Sequence, residues 1–305
     1  MFSPRLRGVV CPCALLLVAL TGCGKVANPN GSPDGSTGGD GDAGMDDAGV
    51  ADGPGIDTPP PGALGAMDNP AKSCGELRAA GGASGVFWLQ APSSSTPFRA
   101  YCDQLLNGGG WAMLENSVRR ADGTTTAFWQ FTYPDRLKQK GTPAPDQNYY
   151  DGSLYLLGTE YIDIIVDLKN KTAVVAQVTV SGFDQATMKF LTPTPGVNTQ
   201  TNVFAAHFQA GWSAQDYNGG PATANCATLY SKVAQHYSSC WAYNLGSDAD
   251  GGTSGTPAAI AANLDGGVGP HVNNDVLTDP GVALSIQDSG GKYSQVNRIA
   301  RFTRW

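Results

Sequence analysis

Residues 74–111 read CGELRAAGGASGVFWLQAPSSSTPFRAYCDQLLNGGGW, and the order of signals in this stretch decides the fold. Cys74-Gly-Glu-Leu-Arg-Ala-Ala has the composition of a short helix. Gly81-Gly82 ends it, because glycine adopts the left-handed conformation that closes a helix. Residues 86–89 (VFWL) and 98–102 (FRAYC) read as apolar β-segments on either side of a polar turn. Gly108-Gly109-Gly110 supplies a turn with positive φ, and Trp111 opens the next buried strand. Consecutive glycines also occur in phosphate-binding loops, but no Gly-Lys-Ser/Thr follows here, which sets that reading aside.

Working outward, the pattern continues. Arg119-Arg120-Ala121-Asp122-Gly123 is followed by Phe128-Trp129, Tyr133 and Gly141, then by 156–162 (LLGTEYI) and 164–168 (IIVDL). In 174–180, Val174, Ala176, Val178 and Val180 alternate with Val175, Gln177 and Thr179, the period a sheet strand requires. Asn225-Cys226-Ala227, then Tyr237-Ser238-Ser239-Cys240 and Asn244-Leu245-Gly246, precede a final alternating segment, 296–302. This series resembles fibrinogen-like domains, the fibrinogen C-terminal-related group that includes ficolin-, tachylectin- and intelectin-type lectins. The likeness covers most of residues 72–305 and is strongest in the first third. It implies one α+β domain with a mixed, mainly antiparallel sheet, short helices, many loops and two disulfides.

The chain has seven cysteines. Cys11 and Cys13 lie in an N-terminal segment with Arg5 and Arg7 ahead of an apolar run, 8–20, too short to span a bilayer. That run ends in Leu20-Thr21-Gly22-Cys23, which looks like a bacterial lipobox and implies lipidation of Cys23, with residues 1–23 as the signal peptide. Gly24 after the anchor favours an outer-membrane or cell-surface destination in the bacterial envelope. Cys74, Cys102, Cys226 and Cys240 remain, an even number in an exported chain. Three pairings are open, and the expected one joins neighbours, Cys74–Cys102 and Cys226–Cys240. Zinc is not expected, because neither CxxC spacing nor paired histidines are present.

Residues 24–71 are rich in Gly, Asp and Pro and contain no aromatic side chain, so they are expected to form a disordered tether. A flexible chain of that length reaches about 35–41 Å. Of the net charge of −7, nearly all comes from eight aspartates opposed by Lys25 in this stretch. The remainder is near neutral and has no basic stripe, which excludes nucleic acid as a partner class. The expected partners are a membrane through the lipid and a glycan or surface protein.

Site residues follow from the resemblance. It implies a calcium loop ahead of the second disulfide, which falls on Asn218, Gly220, Ala222 and Ala224 with Asp216 beside them. Two charged ligands are missing, so calcium is expected to be weak or absent. Asp248 and Asp250, in an Asp-x-Asp-Gly turn, are a second candidate metal site that lacks a closing Glu. The resemblance also implies a pocket for acetylated sugars near the second disulfide, on His236, Tyr237, Ser239, Cys240, Trp241 and Tyr243. The alternative is an adhesion or scaffold module that binds protein and no sugar. Several heads in a homo-oligomer would supply the avidity that single lectin sites lack. The sequence carries no Gly-x-Ser-x-Gly, His-Glu-x-x-His or Cys/His nucleophile pattern, so an enzyme is not expected.

Overall fold

The computed structural model describes residues 59–120, 124–196, 205–246, 269–273 and 293–305. The signal peptide with Cys23, most of the expected tether, and Asp248 and Asp250 lie outside the described residues.

Helix α1 (Cys74–Ala79) starts where Ser73 accepts a hydrogen bond from the Glu76 backbone N–H. Glu76 in return accepts from the Lys72 N–H at 2.6 Å. Strands β1 (Gly85–Leu89), β2 (Phe98–Asp103) and β3 (Trp111–Val118) follow as an antiparallel meander. Helix α2 (Thr125–Phe128) leads to β4 (Gln139–Gly141) and β5 (Tyr149–Asp151), which pair with each other and, through β5, with β3. Next come β6 (Glu160–Val166) and β7 (Thr172–Thr179), then the hairpin β8 (Gly182–Asp184) and β9 (Lys189–Leu191), and β10 (Thr194–Pro195).

The second half is built from short pieces: α3 (Ala206–Gln209), β11 (Trp212–Ala214), β12 (Tyr217–Asn218), α4 (Cys226–Leu229), β13 (Gln235–His236) and β14 (Tyr243–Asn244). Strands β15 (His271–Asn273) and β16 (Tyr293–Gln295) precede β17 (Arg298–Arg304). The last strand returns to the middle of the main sheet, whose order is β1-β2-β3-β17-β6-β7-β10. Every pairing between these strands is antiparallel. Among the described residues the one parallel contact is an isolated bridge, Ala71 to Leu89, so the architecture is the mixed, mainly antiparallel one expected.

Both faces of the main sheet are covered, which is why β3 is buried along its whole length. Trp111, Met113, Ile162, Ile164, Ala300 and Phe302 pack on one face, whereas Leu114, Ile165, Val175 and Ile299 point into the larger core on the other. That larger core joins the main sheet to the short strands of the second half through Phe190, Phe208, Trp212 and Tyr243.

Both disulfides form between neighbours: Cys74–Cys102 and Cys226–Cys240, with Cα–Cα distances of 5.4 and 5.5 Å. The first ties α1 to β2 and the second ties α4 to the loop after β13.

The expected tether ends earlier than residue 71. Gly65 O accepts from the Trp88 N–H at 2.8 Å, the Ala71 N–H donates to Trp88 O at 3.1 Å, and Ala66 and Ala71 are buried. This stretch, 59–71, supplies backbone to an open sheet edge. An edge strand offers a row of unpaired donors and acceptors, so even a segment without aromatic side chains is held there.

Candidate functional site

Three central strands each carry one buried charged residue away from their ends: Glu115 on β3, Arg301 on β17 and Asp163 on β6. Arg301 is the direct cross-strand partner of both acids. A bulge makes this row. Arg301 pairs with Glu115 while Phe302 pairs with Met113, so Leu114 is the extra residue, and Glu115 shares the side of the sheet on which Arg301 lies.

The guanidinium is fully used. Its Nε and Nη2 donate to the two Asp163 oxygens at 2.7 and 2.8 Å. Nη1 donates to Tyr155 Oη at 3.0 Å and His236 Nδ1 at 3.1 Å, and Nη2 also donates to Tyr243 Oη at 2.8 Å. Tyr243 in turn donates to Asp163 and Tyr155 to Glu115. The Arg301 guanidinium lies over the Phe208 ring, 4.4 Å from its centroid. Burial opposes its charge, but Asp163, Tyr243 and Tyr155 more than offset this, and its pKa is raised.

His236 and Tyr243 flank the segment 237–242, which contains Cys240. Arg301 therefore holds both ends of the loop that closes the second disulfide. Two further side chains brace the same loop. His207 Nδ1 lies 2.8 Å from His236 O, and its Nε2 accepts the Ala242 N–H at 2.9 Å. Gln235 donates to Tyr243 O at 2.9 Å and accepts the Leu245 N–H at 2.8 Å. This geometry fixes the tautomers. His207 carries its proton on Nδ1, and His236 carries its proton on Nε2, which donates to Met188 O at 2.9 Å. Both rings must be neutral. Burial and the Arg301 charge push His207 down to about 3 and His236 well below its ordinary value. Burial raises the Glu115 pKa, with Arg301 and Tyr155 pulling the other way.

Of the six residues expected to line a sugar pocket, the structure brings all together at this loop but buries four. His236, Tyr237, Trp241 and Tyr243 are at most 8 % exposed, and the Tyr237 hydroxyl donates to Val233 O at 2.7 Å. Their polar tips build the loop. Ser239 is exposed and Cys240 half-buried, joined by a cis peptide bond. Tyr230, which sequence reading missed, stands half-buried at the edge of Trp241 with ring centroids 5.5 Å apart. The accessible surface at the disulfide is thus an apolar patch of Tyr230, Cys240 and Ala222 packed over Trp241, with Ser238 half-buried and Ser239 exposed beside Cys240 in the chain.

The expected metal loop is occupied by its own hydrogen bonds. Asp216 accepts the Tyr133 N–H at 2.9 Å, and the Asn218 amide donates to Ala222 O at 3.0 Å. The Gly219 and Gly220 N–H groups both donate to Ser213 Oγ at 3.1 Å. Ala224 is exposed. Among the described residues, no three His, Cys, Asp or Glu side chains are grouped as a metal site would need. No helix among them is long and apolar enough to cross a membrane.

No family model matches the chain. Angiopoietin-2 of cattle (Bos taurus) is 30 % identical over 99 residues, which is 32 % of this chain and 17 % of that protein. Angiopoietin-2 of the rat (Rattus norvegicus) is 29 % identical over 92 residues, 30 % of this chain and 16 % of that one. The chain thus matches only about a sixth of the length of these curated relatives. Two solved structures align more widely. The fibrinogen-like globe domain of human ANGPTL6 has a TM-score of 0.50 at 22 % identity, covering 77 % of this chain and 96 % of that domain. The fibrinogen-like globe domain of human ANGPTL2 has a TM-score of 0.50 at 16 % identity, covering 77 % and 99 %. The described residues form a fibrinogen-like globe, mostly antiparallel, with few short helices and two disulfides.

Proposed function

We propose that this chain is a lipid-anchored recognition module of a bacterial cell surface, most naturally at the outer membrane, and performs no chemistry. Cys23 carries the lipid, the Gly/Asp/Pro-rich stretch serves as the tether, and the globe takes up an N-acetylated glycan at the Cys226–Cys240 loop. The observation that carries this reading is the patch at the second disulfide. An apolar patch of Tyr230, Cys240 and Ala222 over Trp241, with the polar residues Ser238 and Ser239 next in the chain, suits a methyl group with an amide beside it. The rigid bracing by Arg301, His207 and Gln235 supports it too, because a preformed site loses less entropy on binding. All three histidines of the chain are buried, which leaves none at the surface to act as a general base. Calcium plays a weak role or none, since Asn218 donates to one of the carbonyls that would have to serve as a ligand.

The test is retention of the exported full chain on immobilised N-acetylglucosamine, with free N-acetylglucosamine as competitor. Tyr230→Ala and Ser239→Trp change this surface without touching the buried network, and each is expected to abolish retention. Retention of a surface protein that N-acetylglucosamine does not compete would favour the adhesion module instead.

A further inference from the structure

We propose that a second ligand site, independent of the disulfide loop, binds the carboxylate of an acidic saccharide in a cleft between α2 and the β4–β5 hairpin. The cleft has a volume of about 480 Å³ and is lined by Arg120, Thr124, Phe128, Lys140, Gln147 and Asn148, with Gly141 at its base. That volume lies within the range of small-molecule sites and holds one or two sugar rings. Among its described lining residues two are charged, and both are cations.

Asn148 carries the argument furthest. It is 8 % exposed, and its Oδ1 accepts the Val118 N–H at 2.9 Å. Its amide Nδ2 has no hydrogen-bond partner among the described residues, so two N–H donors lining the cleft are left for an occupant. An amide N–H that faces the cleft can donate to an arriving carboxylate oxygen.

Lys140 is positioned in the same way. Its ammonium sits 4.7 and 4.8 Å from the Phe128 and Phe131 ring centroids and donates once, to Phe128 O at 2.6 Å. Burial pulls its pKa down, and the acid whose charge reaches it, Asp135, is engaged with Lys138 at 2.7 Å. A partly desolvated cation without a matched acid gains from an arriving anion. Arg120 adds a second positive charge and reaches Gln147 Oε1 at 3.3 Å. Gly141 lets the walls close. A Cβ there would stand 2.2 Å from Asn148 O and 3.1 Å from Phe128 Cε2. Two positive charges and an amide donor match one carboxylate on a hydroxylated ring, and Phe128 offers a flat face for the C–H side of a sugar.

The experiment titrates the full chain, by calorimetry, with D-glucuronate, D-glucose and a glutamate-containing peptide. Glucuronate is expected to bind at least about tenfold more tightly than glucose, about 1.4 kcal/mol. Asn148→Asp keeps the acceptor for Val118 and puts a negative charge in place of the donors, and it is expected to weaken glucuronate at least about tenfold with the circular dichroism spectrum unchanged. Lys140→Gln is expected to do the same. If Lys140→Gln does not fold, Asn148→Asp and Arg120→Gln decide. N-acetylglucosamine is expected to leave glucuronate binding unaltered. Equal affinity for glucose and glucuronate, unchanged binding in Asn148→Asp, binding of the peptide alone, displacement by N-acetylglucosamine, or no binding of glucuronate would each overturn the proposal.

Discussion

Arg301 and Asp163 are directly opposite each other on the two central strands, and the guanidinium fork meets the carboxylate through two hydrogen bonds of 2.7 and 2.8 Å in a fully buried site. This pair does more than hold two strands together. Through His236 and Tyr243 it fixes the loop that carries Cys240, so the polar heart of the sheet and the candidate ligand face form one network.

Removing one partner leaves a charge buried without its match. Arg301→Leu strands Asp163 and Glu115 in the core, and urea denaturation is expected to show a loss of about 3–5 kcal/mol. Arg301→Leu combined with Asp163→Leu is expected to recover part of that loss. Additive losses in the double variant would mean that the two side chains are not coupled.

The two neutral histidines make the globe sensitive to acid. Below about pH 6.5 the unfolded chain binds a proton on each histidine that the folded chain excludes, so stability falls as pH falls. The slope is up to about 1.4 kcal/mol per pH unit for each histidine. For His207 the loss continues toward its folded value of about 3. Glu115, with a raised folded pKa, acts in the opposite sense. It contributes stability at low pH that is lost as pH rises through its folded value, which softens the acid loss. Urea midpoints between pH 7 and pH 5 should therefore drop, and His207→Gln should shrink the drop by roughly half. A flat profile over that range would contradict the assignment of neutral, buried rings.

Gly152 begins the turn after β5, and a Cβ there would stand 1.9 Å from Arg136 O and 2.7 Å from the Tyr150 hydroxyl. The first of these is backbone and the second belongs to the fully buried Tyr150, so a Cβ has to displace one of them. Gly152→Ala is expected to cost more than about 2 kcal/mol in thermal or urea unfolding. Gly62→Ala, where a Cβ meets nothing within 4 Å but the backbone has φ +82°, should cost less than Gly152→Ala. Equal effects would show that this packing is looser than described.

Much of the fold could be read in the sequence. The helix, the two apolar strands, the glycine turn and Trp111 follow each other in 74–111 as local chemistry dictates. Both disulfides also join the neighbours expected to pair. The buried charge row was less legible. The β17 segment reads as a core strand whose alternation runs unbroken through Arg301, but Glu115 reaches the same side only because Leu114 is the extra residue of a bulge, and on β7 Val175 is skipped opposite Asp163 and Ile164. A charge away from the ends of each of WAMLENSV, EYIDIIV and RIARFTR was the available signal, and only the pairing register brings the three together. At the disulfide loop, sequence reading found the right segment but assigned its aromatics to the surface. Tyr237, Trp241 and Tyr243 are buried, and Tyr230, eleven residues upstream of Trp241, takes the exposed place through tertiary packing alone.

The most direct test of the account is a hydrogen-exchange map of the full chain with and without N-acetylglucosamine. Protection is predicted to rise in 237–242 and around Tyr230, with 139–148 unchanged, and to vanish in Ser239→Trp. An exchange pattern at the Cys240 loop that the sugar does not alter, in a protein that is otherwise folded, would contradict it.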